Sequence, residues 1–137
     1  PLNQEGIATG ELVGGNLSLI THLIGTKSDI VTKNKILFIE DIGELIYSTD
    51  RMLYQLKRNG KLDGLAALII GGFSAIKDTE RPFGKKLDEV IHDLVKEYGY
   101  PICFNFPVSH EKENYALKIG GRYQLTISKR KVQLSEC

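Results

Sequence analysis

The sequence predicts a single α/β domain with a mixed β-sheet, and three features of the chain indicate this class. Apolar runs of strand-forming residues alternate with amphipathic helical segments, which is typical of βα units. Turns that contain glycine separate these segments along the chain. After the third helical segment, short strands flank Gly120-Gly121, a pattern that predicts C-terminal β-hairpins. The predicted fold is therefore three βα units followed by hairpins, with residues 1–137 forming one domain.

The elements are assigned in chain order from apolar periodicity and from capping residues. A strand over residues 6–13 leads through a turn at Gly14-Gly15-Asn16 to a helix over residues 16–24, for which Asn16 is a good N-cap. The later helices end at glycines, and the strands before them are continuous apolar runs. The other predicted strands are residues 35–40, 65–70, 101–104, 115–119, 122–127 and 131–134, and the other predicted helices are residues 44–59 and 85–98.

Composition excludes several classes of partner and location. The net charge is +1 over 137 residues, and Lys129-Arg130-Lys131 is a short run typical of a solvated hairpin turn, so neither nucleic acid nor an acidic membrane surface is an expected partner. No apolar stretch approaches a membrane span of about 18 residues. Cys103 and Cys137 have neither disulfide nor metal-site spacing, which indicates reduced thiols in a cytoplasmic protein. The start at Pro1 suggests a piece of a longer protein.

An acidic residue stands at the end of a strand that is predicted to be buried, and a histidine lies in a loop predicted after another strand. Residues 36–39 are a continuous apolar run and Glu40 follows them, so we expect Glu40 to be largely buried. A carboxylate at the carboxyl end of a buried strand is a usual place for chemistry in α/β domains. His110 follows the strand predicted at residues 101–104, so both side chains are expected at one edge of the sheet. An acid and a histidine are two of the three members of a hydrolase triad.

Neighbouring acids have a purely structural interpretation. Asp41 and Glu44 are typical of acids in the first turn of a helix, where they complement its dipole. Alternation along a strand predicts that Glu40 and Asp41 point to opposite faces. Glu40 is hardest to explain structurally because an unpaired buried carboxylate is costly. His110 also has the ordinary interpretation of an exposed loop histidine.

Two glycine-containing segments suggest other kinds of site. Gly14-Gly15-Asn16 precedes a helix, where backbone amides bind anions, although the segment matches neither the dinucleotide nor the P-loop fingerprint and is also typical of a tight turn. Ser74 follows Gly71-Gly72 after a strand, as a nucleophilic serine does in Gly-x-Ser-x-Gly. Position 76 is Ile rather than Gly, so we do not assign Ser74 as a nucleophile.

These segments, taken together, resemble the C-terminal domain of the LD-carboxypeptidases, over nearly the whole chain. That family comprises muramoyl-tetrapeptide carboxypeptidases and relatives that cleave microcin C, serine peptidases with a Ser-Glu-His triad. The chain departs from the family at Ser109, where a glycine is usual. The matching segments, in order, are Gly14-Gly15-Asn16-Leu17-Ser18, Gly25-Thr26, residues 36–44, Asp50-Arg51-Met52-Leu53, and the His110 loop followed by Asn114 and Gly120.

The resemblance implies roles for three residues and a substrate. Glu40 would be the triad acid, His110 the base, and Asn16 a residue near the substrate, while the nucleophilic serine and oxyanion hole would belong to an N-terminal domain that this chain lacks. The implied reaction removes terminal D-Ala from a murein tetrapeptide in peptidoglycan recycling, with no metal or organic cofactor. It also implies a cytoplasmic homodimer and a fold resembling a rudimentary swivelling β/β/α domain.

Two alternatives stay open at this point. Within the family, a microcin C-cleaving immunity peptidase fits the same residues. In a different class, the chain would be a non-catalytic α/β domain that binds a carboxylate or peptide at the Gly14-Gly15-Asn16 turn. The hydrolase interpretation requires Glu40 and His110 at one exposed edge, and the binding interpretation does not.

Overall fold

The computed structural model describes residues 2–42, 46–74, 86–106 and 117–137, and it confirms the predicted α/β class. Within these ranges six strands and three helices follow the alternation expected from the sequence. The elements in chain order are β1 (Gly6–Asn16), α1 (Leu17–His22), β2 (Ile36–Ile42), α2 (Ile46–Arg58), β3 (Ala67–Ser74), α3 (Leu87–Val95), β4 (Ile102–Phe106), β5 (Arg122–Ile127) and β6 (Val132–Glu136).

The strands form one curled mixed sheet in the order β4-β3-β2-β1-β5-β6. Strands β1 to β4 are parallel, whereas β5 is antiparallel to both β1 and β6. The long strand β1 joins the two parts, because Gly6 to Glu11 pair with β5 and Leu12 to Asn16 pair with β2. The parallel part is the part that carries the helices, as right-handed βα connections require.

Two apolar clusters occupy the two faces of the sheet, and strand alternation explains the division. In β2, Leu37 and Ile39 belong to the cluster under the helices, while Ile36 and Phe38 belong to the cluster enclosed by the curl of the sheet. All four side chains are buried, so β2 is a central strand covered on both faces. The carboxyl end of β2 is therefore held inside the domain.

The first strand extends further than predicted, because Gly14 and Gly15 are strand residues and not a turn. Gly14 lies opposite Phe38, and its backbone has φ of +130°. A side chain there would place its Cβ 1.9 Å from the Phe38 carbonyl oxygen. The glycine is explained by this close approach of two backbones, which only a residue without Cβ permits.

The predicted hairpin around Gly120-Gly121 is wrong over its described part. Residues 117–119 are not a strand, and β5 instead forms a hairpin with β6 across the turn that contains Lys129-Arg130-Lys131, as the basic run had indicated. The other partner of β5 is β1. The glycine pair instead forms hydrogen bonds with β1. The Gly120 amide donates to the Leu12 carbonyl, and the Leu12 amide donates to the Gly121 carbonyl.

The helices are shorter than the periodicity predicted, but their buried faces are as expected. Helix α1 ends at His22 rather than residue 24, and α3 covers Leu87–Val95 rather than residues 85–98. The inward residues of α2 and α3 are buried, namely Ile46, Leu53, Leu56, Val90, Ile91, Leu94 and Val95. Among the described residues, no helix is both long and apolar enough to cross a bilayer.

The two cysteines are free thiols, as the sequence indicated. Cys103 lies in the cluster inside the curl with no exposed surface, and this burial raises the pKa of its thiol to about 12. A thiol with so high a pKa is a poor nucleophile at neutral pH. Cys137 is exposed. Cys103 therefore acts as a small apolar core residue.

Candidate functional site

The candidate site lies at the carboxyl edge of the parallel strands, where ligands usually bind in α/β sheets. Pairing in register puts Asn16 of β1 opposite Glu40 of β2. On the other side, the pairing of β2 with β3 shifts between Ile39 and Asp41, and the extra residue belongs to β3, so Glu40 lies opposite a bulge in β3. Bulges are frequent beside active sites, because they redirect a side chain where regular pairing ends.

Glu40 is buried, with 4% of its surface exposed. Ile36 and Phe38 point into the curl of the sheet, so alternation gives Glu40 the same face. Asp41 is also buried and takes the opposite, helical face.

Asp41 is engaged with the start of α1. Its Oδ2 accepts hydrogen bonds from the Ser18 hydroxyl at 2.7 Å and the Ser18 amide at 3.2 Å. Its Oδ1 accepts a hydrogen bond from the Asn16 Nδ2 at 3.2 Å. Asp41 therefore accepts hydrogen bonds at the start of helix α1 from its place in strand β2. It does not lie in the first turn of a helix, the position that the sequence had suggested.

Asn16 is the N-cap of α1, as predicted. Its Oδ1 accepts a hydrogen bond from the Leu19 amide at 3.1 Å, the bond that an N-cap side chain normally makes. Since Asp41 takes the Ser18 amide, the first amides of this helix already have partners within the domain. The structure thus gives no support to a carboxylate or phosphate site at Gly14-Gly15-Asn16.

Two of the residues singled out from the sequence, His110 and Glu44, lie outside the described residues. Ser74 is the last residue of β3, and the residues that follow it lie outside the described ranges. His22 is exposed at the end of α1, and His92 in α3 is half-buried with its ring 6.5 Å from the Phe104 ring.

One cavity of about 620 Å³ lies along α2, and neither Glu40 nor Asn16 lines it. Arg51 and Arg58 give it a basic character, and Tyr47 and Tyr54 stack against these two guanidinium groups. The part of the chain that the structure describes has no cluster of three potential metal-ligating side chains. The cavity lining is Ile24, Ser48, Arg51, Met52, Gln55, Arg58 and Asn59.

The sequence interpretation missed Ser18 and the bulge opposite Glu40. Ser18 is a polar residue two positions after an N-cap, which is common in helices and carries no information about a partner 23 residues away. The extra residue of the bulge lies in β3 at Gly71-Gly72, and glycine within a strand is a known signal for a bulge. The sequence does not indicate which residue of the neighbouring strand lies opposite it, and only the three-dimensional pairing shows that this residue is Glu40.

Comparison with known proteins identifies the family. The profile of the LD-carboxypeptidase C-terminal domain matches residues 9–125. A probable murein peptide carboxypeptidase of Bacillus subtilis is 41% identical over 124 residues, which cover 89% of this chain and 39% of that protein. The microcin C7 self-immunity protein of Escherichia coli is 26% identical over 136 residues, which cover 96% of this chain and 38% of that protein.

The fold agrees with the same family. The crystal structure of a muramoyltetrapeptide carboxypeptidase from Oxalobacter formigenes matches with a TM-score of 0.88 and 34% identity, covering 98% of this chain and 46% of that one. The chain thus spans less than half the length of each of these relatives. From the residues matched and the identity to its relatives, the chain belongs to the LD-carboxypeptidases, as a C-terminal domain of that family.

Proposed function

We propose that this chain is the acid- and base-bearing half of a serine LD-carboxypeptidase that removes terminal D-Ala from a murein tetrapeptide. Glu40 is the acid, His110 is the base, and the nucleophilic serine and oxyanion hole belong to an N-terminal domain of the same protein. Asn16 is a candidate for contact with the substrate. Location in the cytoplasm, a role in peptidoglycan recycling and assembly as a homodimer stay predictions.

The observation that carries this proposal is the burial of Glu40 at the carboxyl end of a central strand. A carboxylate in such a place is costly unless it has a specific partner, and a protonated or polarised histidine is one that a hydrolase needs. Asp41, the neighbouring acid, is already engaged with α1. Of the two acids described at this edge of the sheet, Glu40 is therefore the better candidate for the acid of the triad.

The register of the sheet adds a geometric argument. Gly71 of β3 pairs with Phe106 of β4, and Ile70 pairs with Ile39, so Glu40, Gly71 and Phe106 lie near one row across the sheet. Two strand spacings separate β2 from β4, about 10 Å. His110 follows Phe106 by four residues, and four residues span up to about 14 Å. Gly71 has no side chain to fill the space between, so the segment from Phe106 is long enough for the proposed contact between residues 110 and 40.

The proposed reaction is acyl transfer in two steps. His110 takes the proton of the serine hydroxyl as the serine attacks the carbonyl carbon before D-Ala, and returns that proton to the departing amine. Water then attacks the acyl carbon while His110 accepts one of its protons, and His110 donates that proton to the serine oxygen as the bond between this oxygen and the acyl carbon breaks. Glu40 orients the imidazole and stabilises the imidazolium in both steps.

We predict that the 137-residue chain alone does not release D-Ala. A base and an orienting acid cannot replace a nucleophile and an oxyanion hole, on which the residual activity of triad-deficient hydrolases depends. The measurement is D-Ala release from a murein tetrapeptide by the chain alone, by the full-length protein, and by the chain mixed with a separately made N-terminal half. Turnover by the chain alone that Ser74→Ala abolishes would contradict the proposal, because it would identify a nucleophile within this domain.

A second candidate substrate is a microcin-like peptide-nucleotide, which similarity to the Escherichia coli self-immunity protein favours. The same acid and base would serve, because both substrates are cleaved by attack on a carbonyl carbon. The two candidates are separated by comparing kcat/KM of the full-length protein for a murein tetrapeptide and for an aminoacyl sulfamoyl nucleoside. We expect the murein tetrapeptide to give the higher value, and the reverse order would assign the second function.

A further inference from the structure

We propose that Asp41 is a positioning residue for Glu40, acting through its hydrogen bonds to Asn16 and Ser18. We call these three residues the Asp41 anchor. The inference deepens the proposed function and rests on it, since it concerns how the triad acid is held. It assigns a role to an acid that has no place in the reaction itself.

The Asp41 anchor ties two elements together at the edge of the sheet. Asp41 lies near the carboxyl end of β2, and Asn16 and Ser18 lie at the start of α1, as its N-cap and its second residue. The three hydrogen bonds described above use both carboxylate oxygens, and Asp41 is only 2% exposed. Hydrogen bonds that a buried carboxylate accepts are among the stronger ones in proteins, so this contact fixes the end of β2 relative to α1.

Glu40 needs such support because its pairing with β3 is irregular. The register of β2 with β3 shifts between Ile39 and Asp41, so regular pairing does not fix the backbone of Glu40 on that side. On the other side, Asn16 is paired with Glu40 in regular register. The side chain of Asn16 also donates to Asp41. Asp41, which follows Glu40 in the chain, and Asn16, which pairs with Glu40 across the sheet, therefore both belong to the Asp41 anchor.

The directions of the hydrogen bonds require an amide side chain at position 16 and a carboxylate at position 41. Asn16 must donate to Asp41 and accept from the Leu19 amide, so its amide group cannot rotate without losing one of these bonds. In Asp41→Asn, an amide hydrogen donor would face the donor of Asn16. In Asn16→Asp, two carboxylates would face each other. The double substitution Asn16→Asp with Asp41→Asn reverses the hydrogen bond and restores both partners without a change of net charge.

The test uses the full-length protein and measures kcat, KM and the midpoint of thermal unfolding for each variant. We expect Asp41→Asn to lower kcat about 100-fold, the cost of a displacement of about 1 Å in a catalytic group. Ser18→Ala, which removes one bond to Asp41 and keeps the Ser18 amide, is expected to lower kcat about 10-fold. KM is expected to change little in either variant. Ser28→Ala, in an exposed loop, is the matched control with unchanged kcat.

The double substitution separates positioning from stability. We expect it to restore kcat to within about threefold of the original, a recovery that only a direct coupling between the two positions produces. The inference is overturned if Asp41→Asn and Ser18→Ala lower the midpoint of thermal unfolding and leave kcat of the folded protein unchanged. It is also overturned if the double substitution has the kcat of the worse single variant.

Glu40→Gln, measured in the same assay, keeps the inference distinct from the proposed function. If Glu40→Gln retains full kcat, the assignment of the acid fails, and the role of the Asp41 anchor fails with it. If Glu40→Gln is inactive while the anchor variants are fully active, the assignment of Glu40 stands and only the positioning role is wrong.

Discussion

Glu40→Gln in the full-length protein is expected to lower kcat about 10⁴-fold, the loss seen when the acid of a serine hydrolase triad is neutralised. Gln has nearly the same shape as Glu, so the packing of the buried site is kept. It carries no negative charge to stabilise an imidazolium, and its amide group is able to stabilise the wrong tautomer of the histidine. The loss should therefore appear in kcat, with KM little changed. The measurement is D-Ala release at substrate concentrations that span KM.

Glu11→Gln is the matched control for that prediction. Glu11 is a β1 residue whose carboxylate forms a partly exposed ion pair with Lys35 at 3.7 Å. Such surface pairs contribute little to stability, so kcat and the midpoint of unfolding are expected to stay the same. A Glu40→Gln protein as active as the control would show that Glu40 is not the acid of the triad.

Gly14→Ala is expected to lower the free energy of unfolding by about 2–6 kcal/mol, the sum of an overpacking cost and a strain cost of about 1–3 kcal/mol each. The Cβ would lie 1.9 Å from the Phe38 carbonyl oxygen and 2.8 Å from its amide nitrogen. Both atoms belong to a backbone that is held in the centre of the sheet, so β1 and β2 would have to separate. The measurement is urea-induced unfolding of the chain, followed by circular dichroism.

Gly15→Ala provides the control for backbone strain. Gly15 also has a positive φ, +144°, but no heavy atom of the described residues lies within 4 Å of the position that a Cβ would take. Gly15→Ala is therefore expected to lower the free energy of unfolding by the backbone strain alone, about 1–3 kcal/mol. Equal losses of stability in the two variants would mean that the close approach of Gly14 to Phe38 does not explain the glycine.

Apolar periodicity was sufficient to predict most of the fold. Continuous apolar runs identified the parallel strands, and the spacing of Val90, Ile91, Leu94 and Val95 identified the buried face of α3. Glycines were less informative. Gly14-Gly15 has the composition of a turn, but the same residues also permit two strands to approach closely, and only the position of Phe38 decides between these uses.

The C-terminal region shows why local pattern is insufficient for strand pairing. Gly120-Gly121 has the sequence of a hairpin turn, so residues 115–119 were predicted as the partner of β5. In the described structure β5 pairs with β1, more than a hundred residues earlier, and with β6. The alternation of Tyr123, Leu125 and Ile127 predicts a half-buried strand correctly but contains no information about which strand lies beside it.

For the candidate site, the sequence indicated a candidate acid but not its surroundings. Strand alternation predicted that Glu40 and Asp41 diverge, which agrees with the contact of Asp41 to α1. The hydrogen bonds from Asn16 and Ser18 depend on how closely α1 approaches β2, a distance that no local pattern determines. The assignment of His110 came from the family resemblance and from its loop, and it stays a prediction.

The most direct test of the central claim is a crystal structure of the full-length protein in which the side chains of residue 40 and residue 110 are both resolved. We predict that a carboxylate oxygen of Glu40 lies within about 3.2 Å of a ring nitrogen of His110, the distance of a hydrogen bond in a catalytic pair. The other ring nitrogen should face a serine of the N-terminal domain. An Asp41 or Glu44 carboxylate nearest to the ring, or Glu40 and His110 on opposite faces of the domain, would contradict the assignment.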